Sequence, residues 1–346
     1  MDDDHSTPRA NSATDRPRRR FLETAAVTVS ALAASGTAAA VPGRGKGGGG
    51  GAGSGGFPPS GITAYGDEVD LGAGSVRTFT TETPSGVPKY HGVEFDRSAL
   101  DGLPDADELA GAPDEYPDKY GPTGEALTVH RKASLEFFVP FPDASNTPFT
   151  FLGLNWNPEG HPGGAGAWLT PHFDIHFHTL EPATIDAIEG PALPPYDEVV
   201  ERDEKGRPTA IETALDRSQI PSGYQRSPPV AAGERYITDM GEHAAPADAP
   251  ELPDGPGEPG DPSAFSNTLI QGFVDVGDGD DPRLAFVEPM ITREFFRNHS
   301  GTERYDVPQP ETYPYDGPQY HPTGYSVRDV PSRDAIVVAV QDFDAV

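Results

Sequence analysis

Beyond residue 60, apolar residues are distributed as in β-strands. Short runs of β-branched and aromatic residues are continuous or alternate with polar residues, and Gly, Pro, Asn and Asp bound them. Nine segments are predicted to be strands, at 75–83, 134–141, 149–156, 172–180, 235–243, 267–276, 283–292, 324–330 and 335–343. Many strands and few helices predict a mainly β fold, an antiparallel β-sandwich or barrel.

Two short segments have the residues of helices instead. They are "PATIDAI" (182–188) and "TREFFRN" (292–298), the second beginning with a threonine that can cap a helix. Residues 190–233 and 244–264 are rich in Pro, Gly, Ala, Asp and Glu, so we expect two long acidic loop insertions there. The stretch 275–282 is either an exposed hairpin turn or a calcium loop, although it lacks the glutamate that closes an EF-hand.

The N-terminus has the features of an export signal. It resembles the twin-arginine motif in four residues, Arg18, Arg19, Phe21 and Leu22. The Ala-rich run that follows is too short to span a hydrocarbon core of about 30 Å, and three alanines come after it. We expect a twin-arginine signal peptide over 1–40, export by the twin-arginine translocase to the cell surface or the extracellular medium, and no stable membrane insertion after cleavage.

A flexible linker separates this signal from the folded part of the chain. Residues 41–60 include the glycine-rich stretch "GRGKGGGGGAGSGG", which cannot form a core. The remaining residues, 61–346, are enough for one β-rich domain.

Charge and composition restrict the partners. The chain has 55 acidic and 25 basic residues and a net charge of −30, and only five of the bases are lysine. Such a surface repels nucleic acid and anionic membranes, so neither is expected as a partner. An acidic, lysine-poor composition is typical of proteins adapted to very high salt, which screens the self-repulsion. Because cysteine is absent from the sequence, any metal must be bound by His, Asp, Glu or backbone oxygen.

The segment "PHFDIHFH" (171–178) carries the main candidate chemistry. Side chains alternate between the two faces of a strand. One face here is apolar and suits a core. The opposite face is a row of side chains that can bind a metal ion or titrate: His172, Asp174, His176 and His178.

Distance decides which of these residues can share an ion. Strand residues two apart are separated by about 6.6 Å, so His176 and His178 are the best chelating pair. His172 and His176 are about 13 Å apart and would need a bulge or a bend to converge. Asp174 is suited to orient an imidazole ligand. Further ligands have to come from other segments, and the candidates are His161, His243 and Glu288.

Three interpretations of this row remain open: a divalent-metal site, a buried hydrogen-bonded network, and a metal-free catalytic or ligand pocket. The other histidines of the domain stand alone among turn residues, and we expect surface or capping roles for them. They are His91, His130, His299 and His321.

The order of five motifs resembles that of an uncharacterised, exported domain-of-unknown-function family of bacteria and archaea. The motifs are "GLNWNPEGHPGG" (153–164), "PHFDIHFH" (171–178), "MGEH" (240–243), "TLIQGF" (268–273) and "EPMIT" (288–292). The resemblance covers residues 75–343 and implies a β-rich, oligomer-prone domain without an assigned activity. The motif positions coincide with His161, His172, Asp174, His176, His243 and Glu288.

The resemblance also ranks the candidate ligands. The family usually has tyrosine at the position of His178, which favours His172, His176 and His243 as ligands and makes His178 an additional or substitute one.

The sequence therefore predicts an exported protein that binds a divalent metal, with zinc the leading ion. The predicted ligands are His172, His176, His178 and His243, and the residues that orient them or replace them are His161, Asp174 and Glu288. Such a site supports attack by metal-activated water on a carbonyl, ester or CO₂-like substrate. The alternative is a non-enzymatic homo-oligomer, structural or binding a small ligand, whose histidines form a metal-free polar network.

Overall fold

A computed structural model describes ten segments of the chain: residues 56–111, 134–142, 146–161, 166–185, 220–226, 236–237, 240–252, 260–274, 283–310 and 319–346. Several sequence predictions lie outside the described residues: the signal peptide, most of the linker, the stretch 275–282, His130 and most of the first predicted insertion. The described residues all belong to one compact unit, Ser54–Val346. In this part of the chain, no helix has the length and apolar character needed to cross a membrane.

Fourteen strands of the described residues form two antiparallel sheets. The six-stranded sheet consists, in spatial order, of β1 (Thr63–Leu71), β2 (Gly74–Glu82), β3 (Pro88–Asp96), β14 (Ala335–Ala345), β13 (Tyr320–Val330) and β12 (Thr302–Asp306). The eight-stranded sheet consists of β4 (Leu135–Pro140), β5 (Phe151–Asn157), β6 (His172–His178), β11 (Arg283–Thr292), β10 (Asn267–Val274), β9 (Gly241–Pro246) and β7 (Tyr224–Arg226), with β8 (Tyr236–Ile237) also paired to β9. The predicted mainly β fold is confirmed as a sandwich, because neither sheet closes into a barrel in the described residues.

Both predicted helices form where the structure describes them. The described α-helices are α1 (Ala106–Gly111), α2 (Pro182–Ile185) and α3 (Arg293–Asn298). Thr292 caps α3, as predicted, because its hydroxyl oxygen accepts a hydrogen bond from the backbone N–H of Phe295 at 3.2 Å. Helix α1 was not predicted. It begins with reciprocal hydrogen bonds between Asp105 and Glu108, each backbone N–H donating to the other carboxylate.

Four strands were missed, and they are β1, β3, β7 and β12. Strands β1 and β12 are the two edges of the six-stranded sheet, and most of their residues are exposed, so they lack an apolar run. The predicted strand 235–243 corresponds to β8 and the start of β9. Strand β9 continues to Pro246, and β7 pairs with it, so parts of both predicted insertions belong to the sheet.

The core lies between the two sheets. The side chains of Phe173, Ile175 and Phe177 are fully buried in it, as their alternation along β6 predicts. The side chain of Phe95, on β3 of the six-stranded sheet, packs edge-on against Phe173 of the other sheet, with ring centroids 5.5 Å apart. Phe296 of α3 closes this end of the core against both rings. This packing fixes which side chains of β6 point away from the core.

The opposite face of the eight-stranded sheet, which carries His172, Asp174, His176 and His178 and is called the histidine face below, is also buried. Two apolar clusters cover it. One consists of Phe151, Ile185, Met240, Val274, Ala285 and Phe286, and the other of Ala167, Trp168, Ala245, Ala249, Leu252, Phe265, Ile270 and Met290. Polar atoms between these clusters are removed from water and therefore need partners within the protein or on a ligand.

The prediction of surface roles is wrong for His91 and His321, which are fully buried in strands. The glycine after His91 looked like a turn signal. In the structure Gly92 lies inside β3, where the ring of Phe79 fills the space of a β-carbon. His299 is the C-cap residue of α3, which is the capping role expected for it.

Candidate metal centre

The histidine row lies in the middle of the eight-stranded sheet, because β6 pairs with β5 on one side and with β11 on the other. Residues opposite each other in an antiparallel pair point to the same face. On β11, Val287 pairs with Phe177, so the next residue, Glu288, lies level with His176 on the histidine face. This register brings a carboxylate from a second strand beside the row.

The first candidate ligand set, the Asp174 group, consists of His161, His172 and Asp174. The Nε2 atom of His161 lies 3.3 Å from Oδ2 of Asp174, and Nε2 of His172 lies 2.9 Å from Oδ1. His161 comes from the connection between β5 and β6, and its backbone N–H donates to the carbonyl of Trp168 in the same connection. The side chain of His161 is 30% exposed, whereas those of His172 and Asp174 are buried.

Neighbouring residues orient the Asp174 group. Nδ1 of His172 lies 2.6 Å from the carbonyl oxygen of Thr170. Because a carbonyl can only accept, Nδ1 carries a proton, and in the neutral ring Nε2 then presents a lone pair. Nδ2 of Asn157 donates to Oδ2 of Asp174 at 2.8 Å and holds the carboxylate in place. Support of this kind is typical of metal sites.

When the His172 ring is neutral, two acceptor atoms face each other in this group. Nε2 of His172 and Oδ1 of Asp174 are 2.9 Å apart, yet neither has a hydrogen-bond partner of acceptable geometry among the described residues. A lone pair and a carboxylate oxygen repel each other at this distance unless a cation or a proton lies between them.

The second candidate ligand set, the Glu288 group, consists of His176, His243 and Glu288. Nε2 of His176 lies 3.3 Å from Oε1 of Glu288, and Nε2 of His243 lies 3.7 Å from Oε2. The three residues come from β6, β9 and β11, so sheet pairing alone brings them together. Their side chains are at most 10% exposed, which makes this group more enclosed than the Asp174 group.

The spacing within both groups suits a metal ion. The three ligand atoms of each group lie within 4.8 Å of one another, and the four nitrogen–oxygen distances run from 2.9 to 3.7 Å. Ligand atoms about 2.0–2.1 Å from a tetrahedral zinc ion are about 3.3 Å apart. Buried groups of His, Asp and Glu on this face can therefore hold a metal ion.

The pKa values of the two carboxylates, Asp174 and Glu288, are shifted in opposite directions. Burial by itself would raise the pKa of Asp174, but the neighbouring His172 and His161 lower it further, so this pKa lies well below its ordinary value. Burial, and then the charge of Asp174, raise the pKa of Glu288 well above its ordinary value. Without a cation, the environment of Asp174 thus favours its ionised form, and that of Glu288 favours its protonated form. A divalent ion at the Glu288 group would favour the ionised form of Glu288.

The structure divides the predicted ligand set. His172 belongs to the Asp174 group, His176 and His243 belong to the Glu288 group, and His178 is part of neither. The imidazole of His178 is stacked on Phe151, with ring centroids 4.3 Å apart. Gly153 lies beside it, and a β-carbon at that position would come within 2.8 Å of Nε2 of His178.

Sequence reasoning missed Asn155 and Asn157 on β5. They alternate with Trp156, so both point to the histidine face, opposite Asp174 and His172. The signal that could have found them is the pattern "NWN", in which two amides flank a core residue.

Comparison with protein-family models, with curated proteins and with solved structures finds no match to this chain.

Proposed function

We propose that this protein is an exported metalloprotein that binds a divalent ion at each of the two groups, with zinc the leading ion. His₂-carboxylate ligand sets are typical of zinc, and the absence of cysteine from the sequence suits an imidazole and carboxylate site. The twin-arginine motif in the first 40 residues supports export, and the net charge of −30 supports a high-salt environment.

One observation carries the metal assignment. Nε2 of His172 and Oδ1 of Asp174 are buried 2.9 Å apart, and neither atom has a hydrogen-bond partner of acceptable geometry among the described residues. In the second group, Oε2 of Glu288 is likewise buried without a hydrogen-bond partner among the described residues. Unpaired buried acceptors are rare in folded proteins, and several on one face support a bound cation as their partner.

The ligand count supports a catalytic role for the bound ions. Each group supplies three protein ligands, which leaves one position of a tetrahedral site open, as in catalytic zinc sites. An ion there would supply a water molecule with its pKa lowered to about 7, able to attack a carbonyl or CO₂-like carbon. The residues of this chain would hold the ion, and the carbonyl of Thr170 places a proton on Nδ1 of His172, while the two apolar clusters limit the access of water to the face.

The alternative is a metal-free polar network in a binding or structural protein, such as a homo-oligomer. The 2.9 Å contact between His172 and Asp174 also fits a direct pair between a protonated imidazole and a carboxylate. In that case each carboxylate neutralises its neighbouring histidines, and no cation is required.

Metal content separates the two proposals. Untagged protein, purified without chelators, is expected to contain close to two equivalents of divalent metal by mass spectrometry. His172→Ala and His176→Ala should each lose one equivalent, because they belong to different groups. His178→Phe is the matched control, a histidine of the same strand in neither group, and should keep both. Folded wild-type protein that contains no metal and takes up no added zinc would contradict the metal sites and favour the polar network.

A further inference from the structure

Asn155 is buried beside the Asp174 group without a partner of its own. It lies directly opposite Asp174 in the β5–β6 pair, and its side chain is fully buried. Neither its amide nitrogen nor its amide oxygen has a hydrogen-bond partner among the described residues. Burying an amide with both atoms unpaired is unfavourable, so a ligand that pairs with them is indicated.

The neighbouring Asn157 shows what a purely supporting asparagine does here. It lies two residues away on the same strand and the same face, and it is buried as well. Its amide donates to Oδ2 of Asp174 at 2.8 Å. Asn155 makes no such contact with the described residues, although it is the one opposite Asp174.

A second unpaired donor lies near the Asp174 group. The indole N–H of Trp168 is buried and has no hydrogen-bond partner among the described residues. The Trp168 ring packs edge-on against His161, with centroids 5.8 Å apart. Two donors around the Asp174 group, the amide of Asn155 and the indole of Trp168, therefore lack a partner among the described residues.

The net charge of the proposed metal centre determines whether that ligand is an anion or a cation. Two divalent ions would carry four positive charges, against two negative charges from Asp174 and Glu288. Glu136, which pairs with Asn155 across β4 and β5 and is also buried, would bring a third negative charge when ionised. A buried centre with excess positive charge needs an anion to balance it.

We infer that the histidine face binds a small protonated oxyanion of the bicarbonate type between Asn155 and the metal ions. An anion of this type has acceptor oxygens for the amide N–H and an O–H for the amide oxygen, so it satisfies both atoms of Asn155. The inference rests on the proposed metal sites, because without cations the carboxylates would repel an anion. It assigns Asn155 to ligand binding, with bicarbonate as the expected ligand.

The test uses protein loaded with cobalt(II), whose visible spectrum reports anions that bind beside the metal. Bicarbonate, acetate, hydrogen phosphate and chloride are titrated at constant ionic strength. Bicarbonate should bind at least about tenfold more tightly than acetate, which lacks the O–H, and than chloride. Hydrogen phosphate carries the same donor and acceptor groups, so tighter binding of phosphate than of bicarbonate would contradict the bicarbonate assignment.

Asn155→Leu is the decisive variant, because leucine has nearly the shape of asparagine and no polar atoms. It should retain full cobalt content while its affinity for bicarbonate falls about tenfold or more, to that for acetate. Its metal-free form should unfold at a higher temperature than metal-free wild type, since an unpaired buried amide has been removed. Asn155→Ala should show the same loss of bicarbonate selectivity if the leucine does not fit. Asn157→Leu is the matched control and should lower the cobalt content instead.

The experiment gives different results when the bicarbonate inference is wrong and when the proposed metal sites are wrong. Wild-type protein that takes up no cobalt would overturn both. Cobalt-loaded protein that does not distinguish bicarbonate from acetate would overturn the inference alone, and so would an Asn155→Leu variant that still does. Loss of cobalt in both Asn155 variants would make Asn155 a metal ligand and also overturn it.

Discussion

Gly272 lies directly opposite Phe286 in the β10–β11 pair, and the Phe286 ring occupies the space that a β-carbon at position 272 would fill. Three atoms of that ring lie within 2.1–2.5 Å of the ideal β-carbon position. The same ring packs edge-on against His176 and His243, with centroids 4.7 Å and 5.3 Å away. The missing side chain on β10 therefore lets an aromatic ring hold two histidines of the Glu288 group in place.

Gly272→Ala is expected to disturb the Glu288 group selectively. The methyl group cannot fit unless Phe286 moves, and overpacking of this kind costs about 1–3 kcal/mol of stability. The variant should unfold at lower urea concentration and lose the metal of the Glu288 group, while the Asp174 group retains its ion. Metal content and urea unfolding measure both effects. Gly56→Ala is the control, because the nearest atom to its β-carbon is 3.9 Å away. Unchanged metal content in Gly272→Ala would contradict the role of Phe286.

The hydrogen bond from Asn157 to Asp174 is expected to increase the metal affinity of the Asp174 group. Asn157→Leu removes the donor that fixes Oδ2 of Asp174 and leaves the metal ligands themselves intact. Residues that orient metal ligands typically contribute 10–100-fold in affinity. Competition with a chelator of known affinity should show a loss of this size for one of the two metal equivalents. Equal affinities in wild type and variant would mean that the hydrogen bond plays no part in binding.

Stability should fall in mild acid because of buried histidines away from the metal centre. Burial lowers the pKa of His91 to about 3, and it lowers that of His321 to about 4. Since the unfolded chain has the ordinary pKa of about 6.5, it binds protons below that pH that the folded protein does not. The free energy of unfolding is therefore unaffected by these two histidines above pH 6.5. It falls as the pH decreases toward 4 for His321 and toward 3 for His91.

Each of the two histidines should lower the free energy of unfolding by about 2 kcal/mol between pH 7.5 and pH 5. Urea unfolding of metal-free protein at both values measures the total. His91→Gln keeps a polar side chain of similar size beside Thr80 and Thr147, the hydrogen-bond partners of His91. This variant should show a smaller acid-induced loss than wild type. An identical loss in the two proteins would mean that His91 does not contribute.

The sequence predicted most of the strands that contribute apolar residues to the core, although it missed β3, and it failed where burial depends on contacts between distant segments. Strand β6 was found because Phe173, Ile175 and Phe177 alternate with polar residues. The edge strand β12 was missed because most of its side chains are exposed and no periodic apolar signal remains. His91 was misjudged because its burial results from strands and loops packing around it, a tertiary effect that its sequence neighbours do not reveal.

The candidate ligands were predictable as a set, but their division into two groups was not. Spacing along β6 showed that His172 and His176 are too far apart on a regular strand to share an ion. It could not show that His161 and His243 approach from opposite sides, because that depends on the turn after β5 and on the pairing of β9 with β10. Asn155 was missed because a polar residue is recognised as unpaired only when its surroundings are known.

The two groups should release their metal ions at different rates. The side chain of His161 is 30% exposed and gives solvent access to the Asp174 group, whereas no side chain of the Glu288 group is more than 10% exposed. A chelator in excess should therefore remove the metal in two phases of equal amplitude. The absorbance of the chelator complex measures both phases. His172→Ala should abolish the fast phase and His176→Ala the slow one, because each removes a ligand from one group. A single phase in wild type, or loss of the slow phase in His172→Ala, would show that the exposure of His161 does not control release.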